Sequence, residues 1–81
     1  MGKLHAQGNW LIRVQGNEHP PVHVHVLHPD GRAIIYLDGA ILNTGVPTAV
    51  IASAAAWVAT NAAAVTDEWA RLNNPPARSP R

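Results

Sequence analysis

Cysteine is absent from the 81 residues, which excludes a disulfide framework, a thiolate nucleophile and a sulfur-ligated zinc centre. Charge is nearly as scarce. Six Lys and Arg against five Asp and Glu leave a net charge of +1, too small for a long-range pull on nucleic acid or an anionic membrane. From Gly39 through Thr66 no charged residue occurs at all. Much of that stretch is alanine, interrupted by Thr48, Ser53, Thr60 and Asn61, whereas a membrane-spanning helix wants about 20 strongly apolar residues. A buried or dimer-forming helix is the expected use, and no membrane span is expected. Residues Met1–Gln7 lack the apolar core of a secretory signal, so the cytoplasm is the expected location. No internal repeat is present.

What the chain has in excess is histidine. Three of its five histidines fall within seven residues, in the run Asn17-Glu18-His19-Pro20-Pro21-Val22-His23-Val24-His25-Val26. Strand alternation puts Val22, Val24 and Val26 on one face and His23 and His25 on the other. Two imidazoles side by side on a rigid strand mark the candidate site.

The rest of the chain is organised around that strand. Asn9 to Gln15 alternates, with Trp10, Ile12 and Val14 on one face and Leu11, Arg13 and Gln15 on the other. Gly16-Asn17 supplies turn residues, and the two prolines force an extended approach to a second strand over about 22–28. Pro29-Asp30-Gly31 is a turn signal that joins it to a third strand, Arg32 to Asp38, as a hairpin. After the Asp38-Gly39 turn, Ala40-Ile41-Leu42 suits a short fourth strand at an edge. Asn43-Thr44-Gly45-Val46-Pro47 reads as a helix entrance, because proline is tolerated in the first turn.

From there to Asn73 the pattern is helical. Val50, Ala54, Trp57, Val58, Val65, Trp69 and Leu72 recur at three- and four-residue steps, with Asn61 on the same stripe. An unbroken helix over 47–73 would be about 40 Å long, against a radius of gyration of about 12 Å for a globule of this size. It must therefore break near Thr60-Asn61 or Thr66-Asp67, project, or pack on a second subunit. The expected fold is α+β: a three- to four-stranded antiparallel sheet with one long C-terminal helix packed on one face. Residues 1–73 form a single domain in this reading, and 74–81 have the composition of a disordered tail. Trp10, Ile12, Val14, Val22, Val24, Val26, Ile35 and Leu37 would line the covered face. The uncovered face would show Arg13, His23, His25, Tyr36 and Asp38, together with Ile34.

The segment Glu18 to Val26 resembles the signature of a bacterial family, domain-of-unknown-function family 4160, whose members carry Glu-His, a double proline, then His-x-His-Val. Gly45-Val46-Pro47 and Trp69 resemble its later features, and the likeness spans about Trp10 to Leu72. Relatives carry a histidine eight residues before the tryptophan, where this chain has Asn61. The resemblance implies one component of a toxin–antitoxin-type gene pair, and hence a partner protein encoded by a neighbouring gene.

Three chemistries suit the histidine run. Histidines at i and i+2 of a strand can share one zinc or iron ion, with His19, His23, His25 and Glu18 as the expected ligand set and Asp38 or His5 as further donors. His28, on the valine parity, would need a bulge to join. Alternatively, His23 and His25 can act as acid and base on RNA, with Arg13 stabilising developing charge and Tyr36 orienting the substrate. Thirdly, the face can dock a partner without catalysis. The bland readings stand beside these. His5 and His28 would be packing or turn residues, Trp57 and Trp69 core or dimer anchors, and Asn61 either part of the site or a buried hydrogen-bonding group. A homodimer through the alanine-rich helix is expected.

Overall fold

Five strands in chain order build one antiparallel sheet: β1 (Lys3–Gln7), β2 (Trp10–Arg13), β3 (His23–His28), β4 (Gly31–Tyr36) and β5 (Ile41–Thr44). Two helices follow, α1 (Thr48–Thr60) and α2 (Ala62–Asn73). The computed structural model describes residues 3–16 and 20–73. The expected disordered tail, 74–81, lies outside them.

The α+β expectation holds, with three corrections. The sheet has five strands where three or four were expected. The strand missing from that count is β1, whose Lys-Leu-His-Ala-Gln carries no Val, Ile, Thr, Tyr, Phe or Trp to advertise it. It forms because Gly8, at φ +56°, closes a tight turn with Asn9. β1 then pairs with β2 from Gln7 opposite Trp10 to Lys3 opposite Arg13, with a register shift between Lys3 and His5.

The helix is also two helices, bent by 83° at Asn61. Among the described residues no single helix is long and apolar enough to cross a membrane. Asn61 leaves helical geometry at φ −116°, ψ 29°. Its backbone N–H reaches the carbonyls of Trp57 (2.9 Å) and Val58 (3.2 Å), and its side-chain amide donates to Trp57 O at 2.9 Å. Its own carbonyl accepts from Val65 N–H at 3.1 Å, which starts the next helix. The hydrogen bond expected of a polar residue on this stripe is therefore made locally, to the chain's own carbonyls.

Strand parity follows the alternation. Opposite pairs Ile12–Val26, Val26–Ala33 and Val24–Ile35 place one apolar face inward. Trp10, Ile12, Val14, Val24, Val26, Ala33 and Ile35 on that face join Val46, Ala54, Val58, Val65 and Trp69 in one buried cluster. Each fully buried valine or isoleucine contributes about 1.5–3 kcal/mol over leaving it exposed, so this face holds the fold together. α1 lies on it: Trp57 stacks on His5 with ring centroids 5.1 Å apart, and His5 meets Trp10 edge-on at 5.9 Å. α2 turns away across one end of the sheet. Its Asn73 amide donates to Gln15 O at 2.9 Å, and Leu72 O lies against Gly16. That path keeps Trp69 in the buried cluster but sets its ring against His23, and it brings Glu68 and Arg71 beside Leu11 and Arg13, so the helical segment covers part of both faces, where one covered face was expected.

Candidate functional site

The site lies on the outer face, at the start of β3. Pro21 ends the non-strand approach, and its carbonyl accepts a hydrogen bond from His23 Nδ1 at 2.8 Å. A carbonyl can only accept, so Nδ1 carries a proton and the lone pair of the neutral ring sits on Nε2. Three aromatic neighbours hold the ring: His25 at 5.2 Å, Tyr36 at 5.1 Å and Trp69 edge-on at 4.9 Å. With 5% of its surface exposed, His23 is the buried polar residue among the described positions. It is the packed centre of the cluster. His25, half-buried, is the ring nearer the surface.

Register extends the site across the sheet. Lys3 opposes Arg13, Arg13 opposes His25, His25 opposes Ile34, and Ile34 opposes Leu42. Directly opposite residues share a face with Cβ atoms about 4.5–5.5 Å apart. One row thus runs from two cations at the β1 side, through the imidazole, to exposed leucine at the β5 side. The four residues expected to do acid–base work (Arg13, His23, His25 and Tyr36) are brought together. At the β1 end of the row, Lys3, Arg13 and neighbouring Leu11 face Glu68 and Arg71 of α2 across a cleft of about 560 Å³. Arg71 Nε and Nη2 donate to the two Glu68 oxygens at 3.1 and 2.6 Å. That hydrogen bonding holds the Glu68 carboxyl below the usual carboxylate range.

The other expected donors separate from the pair. Glu18 and His19 lie outside the described residues. Among those described, no three His, Asp or Glu side chains converge as a metal site. His5 is on the inner face against Trp57, so it cannot join the outer pair as a ligand. Asp38 is exposed, and its Oδ1 accepts from Ala40 N–H at 2.9 Å within the β4–β5 turn. His28 Nδ1 accepts from Asp30 N–H at 3.0 Å. The same lone pair cannot also carry a proton, so the 3.9 Å approach of the Asp30 carboxylate is no ion pair. His28 trims the hairpin turn. Trp69 is the residue of the site that sequence reasoning placed only as a core or dimer anchor. Its periodicity marks burial, and nothing in periodicity announces the bend that turns it toward His23.

The chain belongs to the family described as Domain of unknown function (DUF4160), whose pattern matches residues 9–70. No curated protein and no solved structure matches the chain. The matched span runs from the start of β2 to the last turns of α2, so it takes in His23, His25, Arg13, Tyr36 and Trp69.

Proposed function

We propose that the protein is one component of a toxin–antitoxin-type gene pair and that it docks its partner protein on the outer face along β5. The gene-pair role rests on the family resemblance, and one observation carries the docking: β5 is an edge strand without the usual protection. All four of its residues are exposed, and Ile41 (39%) and Leu42 (58%) are its large apolar side chains in water. Natural edges are blunted by charge, proline or a bulge. Ile41-Leu42-Asn43-Thr44 has none of these, and its outer backbone groups are in position to pair with an added strand. Leu42 adjoins Ile34 in the cross-strand row, and a shallow groove lined by Leu42, Ile34 and His25 leads from β5 to the histidine site.

Copurification with the product of the neighbouring gene tests this. The wild-type chain should form a stoichiometric complex, and Leu42→Lys should lose it while keeping its fold. A complex unaffected by Leu42→Lys would overturn the β5 assignment. A chain that dimerises alone through β5, by light scattering, would make the occupant a second copy. A dimer insensitive to Leu42→Lys would instead use the exposed Ala52, Ala56 and Ala59 of α1.

A second reading, a zinc or iron site, is favoured by the His23–Pro21 hydrogen bond. Metal-binding imidazoles commonly donate their other N–H to a backbone carbonyl, which fixes the ligating lone pair. Glu18 or His19 would have to supply further donors to His23 and His25. Elemental analysis of protein purified without chelator should then find near-stoichiometric metal that His23→Ala abolishes. Metal-free protein with native spectra ends this reading.

A further inference from the structure

The β1–β2 end of the row contains an arrangement that partner docking does not use. Lys3 and Arg13 are held directly opposite each other by strand register, and like charges so placed repel. Neither makes a hydrogen bond or ion pair among the described residues, and the Arg13 Nε is shielded from water with no acceptor. A buried donor left unsatisfied is destabilising, so this guanidinium calls for an acceptor. Arg71 is brought to the same cleft by α2. Three of the four cations among the described residues, all except Arg32, therefore face one space in a chain that has little charge to spend. The single carboxylate there, Glu68, is already held bidentately by Arg71.

We infer that this cleft is a phosphate-binding site, with Lys3 and Arg13 as the primary ligands and Arg71 as a third cation. The Arg13 fork suits two oxygens of a tetrahedral anion, and Lys3 adds a point charge from the neighbouring strand. A phosphate seated between them relieves the Lys3–Arg13 repulsion, and a turn of the Arg13 side chain toward the cleft gives its Nε the missing acceptor. A carboxylate has oxygens for the Arg13 fork but few left for two further cations. The cleft volume of about 560 Å³ is in the range of small-ligand sites, and it is open enough to admit one phosphate of a longer chain. The shared chemistry is the phosphate group, whether on a small ester or on RNA. Binding on the β1–β2 side leaves β5 free, so this inference stands or falls apart from partner docking.

Amide chemical-shift titration of the full chain with inorganic phosphate, then with adenosine monophosphate, is the direct test. A parallel arm follows a fluorescent single-stranded RNA by anisotropy at two salt concentrations. Phosphate should shift the amides of Lys3, Leu11, Arg13 and residues 68–71. Lys3→Ala and Arg13→Ala should each weaken binding by about tenfold, in keeping with a charged hydrogen bond. Glu68→Gln should strengthen it by removing the competing carboxylate. If Arg13→Ala unfolds, Lys3→Ala, at an exposed position, keeps the test decisive. RNA bound more tightly than the monophosphate, with affinity falling steeply as salt rises, identifies the polymer as the source. Tighter monophosphate identifies a small ester. Absence of any shift at millimolar phosphate and of any RNA binding overturns the inference, and so does binding that both alanine variants leave unchanged.

Discussion

The two edges of the sheet are built by opposite rules. β1 carries Lys3, has a register irregularity beside it, and is anchored inward by His5 stacked on Trp57. Charge and a bulge are standard ways to keep an edge from pairing. β5 carries no charge, and its side chains are exposed along its length. A small domain buries a modest share of its surface, so an exposed Ile41–Leu42 edge is costly to keep unless something covers it. The contrast teaches that one edge is closed by the chain itself and the other is left open. The row from Lys3 to Leu42 joins these two regimes through His25.

The contrast can be broken most severely at the glycines that seat β5. A Cβ on Gly31 would collide with the backbone oxygen of Thr44 and would come within 2.8 Å of the Gly45 backbone. Gly45 itself sits at φ +91°, a conformation that glycine adopts at little cost. Gly31→Ala should therefore cost about 3 kcal/mol, the upper end for overpacking, because the obstacle is backbone and cannot rotate away. Urea denaturation at unchanged m-value measures it, and a loss below about 1 kcal/mol, within the ordinary range for single mutations, would show that β5 is not locked there. His5→Ala is expected to cost about 1 kcal/mol, the scale of an aromatic pair. It should loosen β1 first, seen as faster amide exchange in residues 3–7 than in β3. Equal loosening of both strands would count against separate treatment of the edges. The smallest expected change in stability is from Leu42→Lys, within about 0.5 kcal/mol as for surface positions, although the same change should remove partner docking. A large loss of stability would mean that Leu42 belongs to the folded core.

Alternation made much of this sheet readable in advance. Trp10, Ile12 and Val14 against Val24 and Val26 identified the inner face, and the placement of Ile34 on the outer side is borne out by its pairing with His25. Pro29-Asp30 turned where turn chemistry said it would. The β1 strand was not legible, because its residues have weak strand preference and it forms through pairing after the Gly8 turn. The break was legible as a length argument, and Thr60-Asn61 was one of two places named for it. Its direction was not, since an 83° turn depends on how Asn61 bonds back to Trp57 and on where α2 finds apolar surface. The site was half legible for the same reason. His23 and His25 on one face followed from period two, but the shelter given by Trp69 follows from tertiary packing across 46 residues of chain.

Asn61 also sets the phase of α2. A helix turns by about 100° per residue, so one residue inserted between Asn61 and Trp69 would swing the indole a quarter-turn or more away from His23. Both helices would stay helical and the β-strands would stay paired, yet the cover over the imidazole would be gone. The eight-residue interval from Asn61 to Trp69 is thus a fixed length in this fold, and insertions there should be far less tolerated than in the exposed Asp38–Ala40 turn.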